Sequence, residues 1–227
     1  MAEITVGSIV KINQQFLNET GGIDLNGMKA VVRLYFNAET EEECDQMLVE
    51  WTPETLAALP DAFFLNAFNE EVSWTTYLLP VNVVERCDEK VDELELAWKK
   101  QEIFVRCFLS QLGREGKEIA KAFQTPADPK VMSPTMCWFE YLNSTLRFPV
   151  RAKTCYPYEE GDGPLKEGQK VSLVGLNGID PNLGILADIE SNGKSFVLPL
   201  QDLTGADSFI KDGRIIDAYG LWVVCTA

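Results

Sequence analysis

With 227 residues, 46% hydrophobic and 24% charged, the chain has the make-up of a folded soluble protein, and its length suits two small domains better than one large one. Its 20 Lys+Arg against 35 Asp+Glu leave a formal charge of −15, which disfavours phosphate backbones and anionic lipid, so neither nucleic acid nor membrane is expected as a partner. Cations and basic proteins are the expected ones, and the absence of His removes the side chain most used for acid–base chemistry and transition-metal binding.

The six Cys, at 44, 87, 107, 137, 155 and 225, form no CxxC pair and are read as reduced, mostly buried small hydrophobes of a cytoplasmic protein. The Met-Ala-Glu start lacks a basic stretch followed by an apolar one, and no apolar run approaches the ~20 residues that span a bilayer. Acidity is uneven: residues 1–88 hold 4 Lys+Arg and 15 Asp+Glu, residues 89–147 hold 9 of each, and residues 148–227 hold 7 and 11.

The first segment reads as strands at 6–12, 28–34 and 47–51, with Gly21-Gly22 and Asn26-Gly27 supplying turns. Thr52 and Pro53 are placed to cap a short helix that Pro60 ends, and a last strand runs from Trp74 to Val84. From Asp88, an acidic first turn and the spacing of Leu94, Trp98, Val105, Phe108 and Leu112 predict one long amphipathic helix to Gly113. A Pro-containing linker follows, and Ser133-Pro134 opens a second helix that Phe148-Pro149 ends. The remainder is strand-like at 170–174, 183–190 and 195–198, with Asn192-Gly193 as a hairpin turn.

An internal echo links the two strand-rich parts. Thr76 to Val84 matches Ser195 to Leu203 by residue class through a shared Leu-Pro step, and Gly7 to Ile12 matches Gly168 to Leu173. The expected fold class is mainly β with bridging helices: two SH3-like small β-barrel modules joined by a long helix and a second helix. The expected division is an acidic module over 1–88, a helical connector and linker over 89–136, and a second barrel with an N-terminal helix over 137–227.

Trp138 to Leu142, Leu146 to Ala152, Pro164 to Gly168, Val174 to Leu176, Val197 to Leu203, and Ile216-Asp217 with Trp222 together resemble the small acidic cyanobacterial calcium-binding proteins of the CcbP type. The resemblance covers about residues 137–223. It implies a compact SH3-like barrel that holds calcium through surface carboxylates without an EF-hand, with Asp217 at the family's terminal Asp. Where the family carries an acidic run, this chain reads Leu176 to Asn182, with Asp180 its one acid.

Calcium takes about six to eight oxygen ligands, so carboxylates must gather. Asp188 and Glu190 are two apart on a predicted strand and share a face, and Asp180 and Asn182 lie in the turn before it. Asp180 to Gly184 resembles the opening of an EF-hand loop, but Ile185 and Ser191 occupy its glycine and glutamate positions, so that assignment is rejected. Asp180, Asp188, Glu190 and Asp217 are the expected metal ligands. Further oxygens lie at Glu159, Glu160 and Asp162, at Asp202, Asp207 and Asp212, and in the run Glu39 to Asp45, which reads first as a solvated loop. The expected function is non-enzymatic calcium binding, as a buffer or sensor. The alternative is an SH3-like module that binds a protein partner, with calcium binding lost.

Overall fold

The computed structural model describes residues 4–15, 22–36, 45–124, 128, 130–155, 165–207 and 210–226. All of the acidic run but Asp45, and the loop 156–164 with Glu159, Glu160 and Asp162, lie outside the described residues. The chain divides into two compact units, 1–103 and 104–227, with the division inside the stretch expected to be a helical connector.

In the first unit the strands are β1 (Ile9–Ile12), β2 (Lys29–Phe36), β3 (Gln46–Trp51), β4 (Thr76–Pro80) and β5 (Val84–Cys87), paired antiparallel in the order β4-β3-β2-β1-β5. Alternation sorts the faces: Met47, Val49 and Trp51 are fully buried, while on the other face Gln46 and Leu48 are half-buried and Glu50 is covered by its ion pairs. Helix α1 (Pro53–Ala58) starts as expected, with Pro53 in its first turn and the Thr52 side chain accepting from the Thr55 amide. A second helix, α2 (Asp61–Asn69), follows directly and was not expected. It brings Phe64 edge-on to Trp74 at 5.6 Å. The expected strand from Trp74 to Val84 is broken after Pro80 into β4, a 3-10 turn at Val81–Val83, and β5.

The expected long helix is also broken. Helix α3 runs over Glu93–Cys107, and Asp92 rather than Asp88 caps it, its Oδ1 accepting from the Leu94 and Glu95 amides. After a 3-10 turn at Leu109–Gln111, the chain resumes as α4 (Gly113–Ala122). Near its start, α3 joins an ionic network on β2 and β3. Glu50, buried, receives Lys100 at 2.8 Å and Arg33 at 2.6 Å, and Arg33 also grips Glu93.

The second unit contains α4, α5 (Pro134–Thr145), β6 (Val150–Thr154), β7 (Lys170–Asp180), β8 (Gly184–Ser191), β9 (Lys194–Pro199), β10 (Leu203–Gly205) and α6 (Lys211–Thr226). Its sheet order is β10-β6-β7-β8-β9. Ser133 caps α5 as expected, accepting from the Met136 amide at 3.2 Å. Asn192 and Gly193 form the predicted hairpin turn with φ of 51° and 74°, both left-handed as a type I′ turn requires. Val150, Ala152, Val171, Leu173, Ile185, Ala187 and Ile189 make a buried inner face. Helices α5 and α6 lie in contact with strands of this sheet, and Trp138 packs on Tyr219 at 5.5 Å and on Trp222 at 5.9 Å.

Neither sheet closes among the described residues, since each end strand has one neighbour. The two barrels expected from sequence are not observed: among the described residues the architecture is mixed α/β, with two open antiparallel sheets and six helices. In the second unit, helices supply the apolar partner that an inner sheet face needs, so burial does not require closure.

The sheets nevertheless share one strand order. Matching β1–β5 with β6–β10 superposes the two orders end for end. The Leu-Pro echo falls on equivalent elements, because β9 also ends at a Pro, Pro199, and is followed by a 3-10 turn at Leu200–Asp202 before β10. The second echo does not: it aligns β1 with β7, which is the counterpart of β2.

Candidate functional site

Strand β8 alternates as its sequence suggested. Ile185, Ala187 and Ile189 are buried, while Asp188 is half-buried and Glu190 exposed on the outer face. Their Cα atoms are about 7 Å apart, a span that one cation between two carboxylates can bridge. The cross-strand neighbours are small or polar except Val197. Asp188 lies opposite Gly175 on β7 and Val197 on β9, and Glu190 opposite Ser172 and Ser195. Gly175 keeps the space beside Asp188 open, since a Cβ there would stand 3.7 Å from Asp188 Oδ2. The bulges on either side of Leu176 bring Asn177 to Asp188, and its Nδ2 donates to Asp188 Oδ1 at 2.8 Å.

Asp180 and Asp217 are engaged elsewhere. Asp180 Oδ1 accepts from the Asn182 and Leu183 amides at 2.8 and 2.9 Å, fixing the β7–β8 turn. Four residues of extended strand, about 13–14 Å, separate that turn from Asp188. Asp217 Oδ1 accepts from Thr204 Oγ1 at 2.6 Å and from the Gly205 amide at 2.8 Å, tying α6 to β10. Strand β10 is three places from β8, about 14 Å across the sheet. Of the four expected ligands, the fold therefore brings together Asp188 and Glu190 alone.

Glu190 also borders a groove of about 690 Å³ with Asp207, Asp212, Arg151 and Lys170. Two cations among its lining residues make the groove less favourable to a metal than its three carboxylates alone would be. Asp202 is half-buried, and burial raises its pKa above the usual value, which weakens it as a metal ligand. Among the described residues no three His, Cys, Asp or Glu side chains gather as a metal would require, so a ready-made carboxylate cage does not exist there. The fit to calcium is limited to a pair of carboxylates with hydroxyl, amide and solvent oxygens around it.

Among the described residues the thiols are poorly placed for reactivity. Cys107 and Cys137 are buried, Cys87 and Cys225 half-buried, and Cys155 exposed, which departs from the expectation that most are buried. Burial pushes the Cys87, Cys137, Cys155 and Cys225 thiols up, away from the reactive thiolate.

Sequence comparison bears on the same unit. Residues 131–223 match the CcbP family model, described as calcium binding. This segment of the chain is similar to that family. The crystal structure of Anabaena CcbP is 21% identical and covers 49% of this chain and 89% of that one, with a TM-score of 0.38. No curated protein matches the chain. No helix among the described residues is long and apolar enough to cross a membrane.

Proposed function

We propose that the chain binds calcium weakly, through Asp188 and Glu190 on the outer face of β8, as a non-enzymatic buffer or low-affinity sensor. The observation that supports this is the calcium-binding family match over 131–223, the segment in which these two carboxylates stand side by side. Two carboxylates supply few of the six to eight oxygens calcium prefers, and water completes the shell, so affinity falls on the order of millimolar. Asp180 and Asp217 act through the backbone they hold. Isothermal titration of the full chain should show calcium heats that the double variant Asp188→Ala/Glu190→Ala abolishes and Asp180→Ala retains. Flat heats at several millimolar calcium would overturn the reading.

The two sheets are, on this proposal, copies of one SH3-like module. Supporting this are the common strand order and the Leu-Pro step followed by a 3-10 turn before the last strand of each.

A further inference from the structure

Within an acidic chain, one recess of the second unit is basic. Arg114, Lys117, Glu118 and Lys121 recur on α4 at positions i, i+3, i+4 and i+7, which places them on one helical face. Helix α4 packs against α6, and Arg214 joins them around a cavity of about 270 Å³.

The internal pairing leaves this recess with a positive excess. Glu118, its single carboxylate, is 10% exposed and already engaged: Lys121 Nζ donates to both its oxygens at 2.9 and 3.0 Å, and the Tyr141 hydroxyl donates at 3.2 Å. Lys121 is thereby neutralised. The side chains of Arg114, Lys117 and Arg214 make no hydrogen bond or ion pair among the described residues. Arg214 Nε is moreover buried without an acceptor. That nitrogen is sealed from solvent, so an anion in the recess meets the terminal nitrogens of the guanidinium rather than Nε.

We propose that this recess binds a phosphate-type oxyanion, as free phosphate or pyrophosphate or as the phosphate group of a small molecule. Arg214 and Arg114 present planar forks that match two oxygens of such a group, and Lys117 adds a point charge. The excess of three positive charges suits a doubly or triply charged anion better than a single carboxylate. The cavity lies just below the usual range of about 300–1,000 Å³ for small-molecule sites, so it accommodates a phosphate with a small substituent. A nucleic acid strand is the wrong occupant, because the cations form a recess rather than a stripe and the chain as a whole carries −15. Three of the four cations lie on α4, outside the segment that matches the calcium-binding family. The site therefore stands independently of the calcium reading.

The test is isothermal titration of the full chain with pyrophosphate, in chelator and at ionic strength held constant with sodium chloride. Saturable one-site binding is expected, reduced roughly tenfold or more by Lys117→Gln and by Arg214→Gln, the strength of a charge-assisted hydrogen bond. Arg214→Lys should restore part of it, and Lys194→Gln, at the start of β9, should leave it unchanged. Exposed Lys117 provides a variant that does not depend on core packing. Absence of saturable heat overturns the proposal, as does an equal loss in Lys194→Gln, which would mark general charge screening. Co-sedimentation with phosphatidylcholine vesicles, with and without phosphatidylinositol phosphate, separates the sources. Capture by the phosphorylated lipid assigns a headgroup, and pyrophosphate binding without capture assigns a soluble phosphate.

Discussion

Asp217 shows how a residue can look like a metal ligand and serve the fold instead. One oxygen of its carboxylate collects both the Thr204 hydroxyl and the Gly205 amide, so the side chain joins helix to strand. Asp217→Ala should lower stability by about 1–3 kcal/mol, measured by urea denaturation, because two donors lose their acceptor. It should leave calcium heats unchanged. Gly205 sits in the same joint. A Cβ there would run into the backbone of Gly213, which cannot move away as a flexible side chain would. Gly205→Ala is therefore expected to destabilise the second unit by about 1–3 kcal/mol or more, visible as a lowered Tm. Both residues are marked by the same approach of α6 to β10, and no pattern in the sequence announces it.

At the scale of elements, the ionic network of Glu50 makes a prediction with a definite sign. Burial alone would raise the Glu50 pKa, but Lys100 and Arg33 outweigh it and hold the carboxyl below its usual 4.5. A carboxylate depressed in the folded state contributes stability that is fully present above its unfolded pKa and is lost as pH falls through the folded value. Amide exchange of β3 should therefore accelerate as pH drops through roughly 5 to 3, after correction for the intrinsic rate, and Glu50→Gln should flatten that dependence. Helix α5 offers a simpler case. Ser133→Ala removes the side chain that accepts from the Met136 amide and should cost about 1 kcal/mol in denaturant unfolding.

Elements with local chemistry are legible in the sequence: the Thr52 and Ser133 caps, the Asn192-Gly193 turn and the alternation of β8 all stand where their residues indicate. Those missed lacked such punctuation or were hidden by it. Gly113 reads as a helix stop but opens α4, Pro60 ends one helix and precedes another, and β6 is five residues with two cations facing out. Helix α6 did carry a signal, since Ile215, Tyr219, Trp222 and Thr226 are buried at helical spacing. The carboxylates of the candidate site illustrate the remaining limit. Spacing along one strand correctly paired Asp188 with Glu190, whereas the distances of Asp180 and Asp217 from that pair depend on turn position and strand order.

For the whole molecule, the closing strand of the first sheet has a further consequence. Because β5 pairs with β1, Ile9 faces Cys87 across the ladder, and the segment between them begins and finishes at one place. Such a segment can be spliced into a chain, or repeated within it, with a short connection and no rearrangement of what flanks it. The second sheet repeats the device, with β10 returning to β6. On the proposal that the two sheets are copies of one module, the polypeptide lengthens by whole modules, each free to lose or acquire surface charge on its own. That would let −11 accumulate over residues 1–88 while the segment matching the calcium-binding family stays much nearer neutrality.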